Sequence, residues 1–276
     1  LFMKARDKYK RFFKKSHTPK IQVFDNILVS EEERADFESQ YGIINKDFKE
    51  LIAQMAHAKS FGSLINPQGA DITSQKEALQ QFEAKDMMRN HVKQRLVRIC
   101  EHLEALNQTY HVVVTNPPYL GNFHDDLKKF TETHYKEEKT DLNTCFVKRN
   151  ASFLKENGYV AMITMQSWMF LSSYERFRNY LIEETTINTM LHLGTRAFDS
   201  IGGEVVSTTA FTLQKSSGKR EVNGFYFDLT DGKNEKEKIE LFSNIQLKKE
   251  KGKYCVPQKD LKKIPGYPIA YWVSDR

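Results

Sequence analysis

Cysteine is scarce in this sequence: Cys100, Cys145 and Cys255 are the only three in 276 residues. An odd number at wide spacing excludes a disulfide framework and a Cys-x-x-Cys metal pair, and it fits a reducing compartment. Long apolar runs are also lacking, so no membrane-spanning helix is expected. The first residues, Leu1-Phe2-Met3-Lys4-Ala5-Arg6, turn basic at once and lack the apolar core of a signal peptide, which makes the cytoplasm the expected compartment. No internal repeat and no low-complexity tract interrupts the chain. The eight histidines are scattered, and none stands at metal-ligand spacing beside a cysteine or carboxylate, so no metal is expected and the histidines read as structural or surface groups.

What remains is a chain with 39% hydrophobic and 28% charged residues, long enough for one large domain or two small ones. Its formal net charge of +6 is uneven. Residues 1–20 hold eight Lys or Arg against Asp7, and residues 246–263 hold seven Lys against Glu250 and Asp260. Such clusters attract polyanions, nucleic acid above all. A solvated helix face explains them equally well.

Residues 1–15 have the pattern of a basic helix, and Lys20-Ile21-Gln22-Val23-Phe24 that of a short strand closed by Asp25-Asn26. Residues 30–58 and 73–106 have helical patterns, separated by loop chemistry at 61–69. His111-Val112-Val113-Val114-Thr115 is a β-branched run suited to a strand buried on both faces of a parallel sheet. Two prolines end it. Residues 140–155 return to helical spacing, Gly158–Thr164 forms a second strand, and Ser172-Ser173-Tyr174-Glu175 resembles a capping box opening a helix striped by Tyr174, Phe177 and Leu181. Further strands are expected at 187–193 and 205–213, close enough in sequence to be antiparallel neighbours, and at 222–228. Alternating strands and helices imply an α/β fold with an open, Rossmann-like sheet, mostly parallel with an antiparallel late strand, whose site lies beyond the carboxyl ends of the strands.

At one such end stands Asn116-Pro117-Pro118-Tyr119. A strand-ending turn accounts for these residues in structural terms. A chemical role suits them better. An exocyclic aromatic amine is a weak nucleophile because its lone pair is delocalised into the ring. Acceptors for its two N–H groups push the nitrogen toward sp³ and free that pair. The Asn116 side-chain oxygen can be one acceptor and the Pro117 carbonyl the other, and proline brings no competing N–H. Tyr119 can stack on a base that has left the duplex. Such a site needs no metal.

The segment Val112–Tyr119 resembles the catalytic motif of class I, amino-group-specific DNA methyltransferases. It is most similar to the PglX-type adenine methyltransferases of BREX phage-defence systems. The resemblance is carried by Asn116–Gly121, Gly158–Thr164, Gln166–Glu175, His192–Gly194, Ala197-Phe198, Ile201–Val206 and Ile264–Trp272, and more loosely by Met3–Arg6 and Phe61–Ile65. It implies adenine-N6 methylation of double-stranded DNA with S-adenosylmethionine, a flipped adenine held at Asn116, Pro117, Pro118 and Tyr119, and other defence-system subunits as partners. It further implies that Phe198 packs on the second face of the adenine and that Asp25, at the end of an early strand, contacts the donor; a core aromatic and a turn aspartate are the structural alternatives. The resemblance breaks at the glycine-rich loop that cradles the donor: no Gly-x-Gly follows a strand before residue 110, and Gly202-Gly203 comes too late.

The chain is therefore expected to be an internal fragment. It is divided into a partial catalytic domain over 1–215, with a helical insertion at about 30–106 and the motif-bearing half at about 107–215. A strand extension over 216–276 follows, leading toward a target-recognition region. On this reading the fragment alone is inactive. Two other readings stay open: a protein-glutamine or RNA methyltransferase, and a non-catalytic DNA-binding or scaffolding module. Asp125-Asp126 is expected to start a helix, Trp168 and Phe170 to pack in the core or line the base pocket, and Tyr271-Trp272 to pack or touch DNA.

Overall fold

Three consecutive valines with branched side chains favour extended chain, and Val112, Val113 and Val114 occupy the first strand of the sheet, β1 (Tyr110–Thr115). A computed structural model describes residues 19–42, 44–119, 124–199, 206–215, 222–248 and 251–273. The expected basic helix at 1–15, and the matching segments Met3–Arg6, Leu120-Gly121 and Ile201–Val205, lie outside them. The chain divides into two compact units: Leu1–Lys59 with Ala70–Ala105, and Ser60–Gly69 with Leu106–Arg276.

The first unit is helical. It contains α1 (Glu31–Tyr41), α2 (Lys46–Met55), α3 (Ile72–Gln81) and nearly all of α4 (Met87–Leu106). A capping box starts α1: the Ser30 hydroxyl accepts from Glu33 N–H at 3.1 Å, and the Glu33 carboxylate accepts from Ser30 N–H at 2.9 Å. Gly42 stops that helix in the left-handed region at φ 60°. Helix α2 buries Phe48, Leu51, Ile52 and Met55 on one face. The strand expected at Lys20–Phe24 is not formed. Ile21 and Val23 are 81% and 67% exposed, and five β-rich residues without a ladder partner do not hold an extended strand.

The second unit is built on a six-stranded sheet in the order β1-β2-β4-β3-β5-β6. The strands are β1, β2 (Leu154–Met165), β3 (Thr185–Gly194), β4 (Thr208–Lys215), β5 (Asn223–Asp228) and β6 (Lys253–Pro257). β1 pairs parallel with β2, and β3 parallel with β5; β4 and β6 run against them. Four strands thus share one direction, and the antiparallel pairing of β3 with β4 is the one expected from their short connection. A Cβ on Gly158 would lie 2.8 Å from the Lys155 carbonyl oxygen and 3.1 Å from that of His111, so only glycine lets β2 come this close to β1. Beyond residue 215, β5 and β6 pair into the same sheet.

Helices α5 (Asp125–His134), α6 (Leu142–Ser152), α7 (Glu175–Glu184) and α8 (Glu235–Lys248) complete the unit. One face of the sheet turns Val160, Met162, Met190 and Phe211 into a core with Trp168, Phe177 and Leu181. Arg178 is buried there and satisfied. Its guanidinium donates to the carbonyls of Trp168 at 2.9 Å, Leu171 at 2.6 Å and Gly266 at 2.6 Å, which fastens the C-terminal segment to α7. Ser172 does not act as a capping box. It starts a 3₁₀ turn, Ser172–Tyr174, and the helix begins at Glu175 with no side-chain cap, while Tyr174, Phe177 and Leu181 form the expected buried stripe. Among the described residues no helix is long and apolar enough to cross a membrane.

Candidate active site

The carboxyl ends of β1, β2 and β3 point to one edge of the sheet, because these strands are mutually parallel in direction. Asn116 follows β1 there. In the parallel register it comes level with Ile163, since Thr115 pairs with Met162 and β2 runs on to Met165. Asn116 is exposed, Pro117 buried and Pro118 exposed, so the loop is anchored at one proline and presents the amide to the outside. Tyr119 is half-buried. Its hydroxyl has no hydrogen-bond partner among the described residues, and burial raises its pKa. Asn116 also borders an open cavity of about 450 Å³, lined on the sheet by Val114, Ala161, Ile163, Leu191 and Ala210 among others.

Phe198 stands at the same edge. It is half-buried, four residues beyond Gly194, where β3 ends. Two strands separate β1 from β3, so their ends lie roughly 14 Å apart at a spacing of about 4.8 Å per strand. The turn that carries Phe198 departs through two left-handed residues, Gly194 at φ 65° and Arg196 at φ 57°.

A hydrogen-bonded network lies just inside this edge, built from residues that no local sequence pattern links. Gln166, next after β2, meets His192 Nε2 at 2.8 Å, and the Tyr271 hydroxyl meets His192 Nδ1 at 2.9 Å. Desolvation lowers the His192 pKa, with neighbouring Lys238 acting in the same direction and Asp228 opposing. Burial thus favours the neutral imidazole, which uses both nitrogens. Tyr271 is buried and stacks on Tyr226 at 5.1 Å, which makes it core, whereas Trp272 is 45% exposed beside Phe170. Trp168 is core too, and its indole N–H donates to the Thr164 hydroxyl at 3.0 Å.

Asp25 belongs to the helical unit and ends no strand. Its carboxylate pairs with Arg98 at 3.1 Å and Lys59 at 3.4 Å, so the positional argument for a donor contact falls away. Asp125 and Asp126 stand in the first turn of α5, where the helix dipole favours acidic side chains. Among the described residues no three His, Cys, Asp or Glu side chains come together as a metal site.

Residues 4–198 match the model of the Eco57I restriction-modification methylases, a span that includes Asn116–Tyr119 and Phe198. The chain is 39% identical over 233 residues to the adenine-specific methyltransferase BrxX of Escherichia coli O9:H4 (strain HS), a match that covers 81% of this chain and 18% of that protein. It is 34% identical over 289 residues to the adenine-specific methyltransferase PglX of Lacticaseibacillus casei (strain Zhang), covering 100% of this chain and 24% of that protein. The chain thus spans about a fifth to a quarter of the length of these relatives. Among solved structures, the methyltransferase subunit of a type I restriction-modification system from Streptococcus thermophilus is similar at a TM-score of 0.44 and 15% identity, over 66% of this chain and 46% of that one.

Proposed function

The chain belongs to the Eco57I restriction-modification methylase family, and from that premise we propose that the whole protein methylates the N6 amino group of adenine in double-stranded DNA. The methyl source is S-adenosylmethionine, and the setting is restriction-modification or phage defence. The observation that carries the reading is the exposed Asn116 amide at the carboxyl end of β1, followed by a buried proline with no N–H.

In this reading the target adenine leaves the duplex and enters the sheet edge between Asn116 and Phe198. The Asn116 side-chain oxygen and the Pro117 carbonyl accept the two amino protons. That draws the nitrogen toward sp³ and raises its nucleophilicity without a general base. Tyr119 and Phe198 stack on the ring and offset part of the few kcal/mol that unstacking costs. S-adenosylmethionine supplies an electrophilic methyl group. Among the described residues, the cavity beside Asn116 does not fit that donor: its lining offers no cation for the donor's carboxylate and no acidic side chain for its ribose hydroxyls. No donor-binding role is assigned to this cavity or to Asp25.

The names of the two relatives favour adenine over a glutamine amide as acceptor, and the restriction-modification family favours DNA over RNA. The decisive experiment is methyl transfer from labelled S-adenosylmethionine to duplex DNA by the whole protein and its Asn116→Ala variant. Loss of one preorganised polar contact to the reacting group lowers the rate by about 10²–10³-fold. Binding of the duplex should persist. A variant that transfers at the parent rate removes Asn116 from the chemistry and the reading with it.

A further inference from the structure

The loop that carries Phe198 is held by a helix from further along the chain. At its root, the buried Lys238 of α8 donates its ammonium to the Leu193 carbonyl at 2.6 Å and the Leu229 carbonyl at 3.0 Å. This ties the last residues of β3 to the chain leaving β5. Gly232 lies over the Lys238 stem, where a Cβ would come within 2.6 Å of Cγ. Just beyond Phe198, the Asp199 carboxylate accepts the backbone N–H of Glu235, the first residue of α8, at 3.2 Å.

A helix start has N–H groups without intrahelical partners and a partial positive charge, and a carboxylate suits both. α8 has a local cap as well: Asn234 accepts from Glu237 N–H at 2.9 Å. The helix therefore does not depend on Asp199 to begin. Asp199 gains a fixed seat instead, one residue from Phe198. The span from Leu193 to Asp199 is held at both ends, and its two left-handed residues, Gly194 and Arg196, lie between the fastenings.

We infer that Asp199 is a positioning residue for base capture, clipping the Phe198 loop to the amino end of α8 so that the ring meets an extruded adenine already in place. The inference rests on the stacking role of Phe198 proposed above. A loosened loop has to be ordered at the moment of capture, which weakens capture without touching the atoms that react. The defect should therefore fall on base extrusion and disappear when extrusion is easy.

The test uses the whole protein and a duplex bearing a site found methylated in DNA of cells that express it. Transfer is measured with the target adenine paired to thymine and with the same adenine opposite an abasic position, where leaving the stack costs least. Asp199 is exposed, so its variants are expected to fold. Asp199→Ala should lower kcat/KM on the paired duplex about tenfold, the factor that ~1.4 kcal/mol corresponds to, and regain near-parent rates on the abasic duplex. Asp199→Asn keeps an acceptor for Glu235 N–H and should stay near the parent on both. Phe198→Ala should lower transfer on the paired duplex. If Phe198→Ala is impaired while Asp199→Ala is not, or if Asp199→Ala loses equally on both duplexes, the clip is overturned and the stacking role stands. If Phe198→Ala transfers at the parent rate, the stacking role itself falls.

Discussion

The two faces of the sheet have different fates. One turns Val113, Val160, Met162, Met190 and Phe211 into a core shared with Trp168, Phe177, Leu181 and Tyr271. Among the described residues the other is covered at one end only. There α8 lays Ile245, Leu241 and Phe242 on Phe227, Leu229, Leu191 and Leu193. Toward β1 the same face is bare: Val112 is 60% exposed, Val114 is 75% exposed, and the open cavity runs along Ala161 and Ile163. β1 is also an edge strand, with β2 as its only partner among the described residues. Alternate residues along one strand are equally apolar, yet in this chain one set is core and the other is surface. Composition of a strand reports what it is suited to bury, not whether a neighbouring layer is there to do so.

The largest effect that separates the faces is a cavity in the covered one. Phe177 is fully buried and edge-on to Trp168 at 5.8 Å. Phe177→Ala should cost about 3–5 kcal/mol in chemical denaturation followed by tryptophan fluorescence. A cost below about 1 kcal/mol would make the covered face no better packed than the bare one.

The next effect depends on pH. His192 is on the covered side, and its folded pKa lies below the ordinary value of about 6.5. Unfolding then takes up a proton wherever the pH lies between the two values. Stability from this group is complete above about 6.5 and is lost as the pH falls below it, by at most ~1.4 kcal/mol per pH unit. His102 in the helical unit is shifted the same way, so the His192 share is the part that vanishes in His192→Gln. An unchanged pH profile in that variant would show that the histidine titrates as it does in water.

The smallest effect belongs to the bare face. Val114→Asp in this 276-residue chain should change stability by no more than about 0.5 kcal/mol, as surface substitutions do. The same change should lower binding of a dye that reports exposed apolar surface. A loss of several kcal/mol would mean that Val114 is covered and that the contrast between the faces is false.

Most strands were legible because β-branched runs end at Pro or Gly: Val112–Thr115 before two prolines, and Tyr159–Thr164 after Gly158. β6 was not, since Lys253-Tyr254-Cys255-Val256-Pro257 sits in a lysine-rich stretch that reads as solvated charge, and only pairing with β5 makes it a strand. Lys20–Phe24 erred the other way, with strand-forming residues but no ladder. At the candidate site, Asn116–Tyr119 could be singled out because it is contiguous. The contacts around it could not. Asp199 meets Glu235 across 36 residues, Gln166 meets His192 across 26, and His192 meets Tyr271 across 79, and only the order of strands brings them together.

The three cysteines differ in a way that matters at the bench. Cys100 and Cys145 are fully buried, and burial pushes both thiols up, Cys100 to about 12. Cys255 is exposed on β6, opposite Phe225. A maleimide dye should therefore couple at one position without any engineered thiol. That position is at the far edge of the sheet, five strand spacings or roughly 24 Å from β1, a distance suited to energy transfer. A second fluorophore on the Asn116 loop would turn the chain into its own ruler across the sheet.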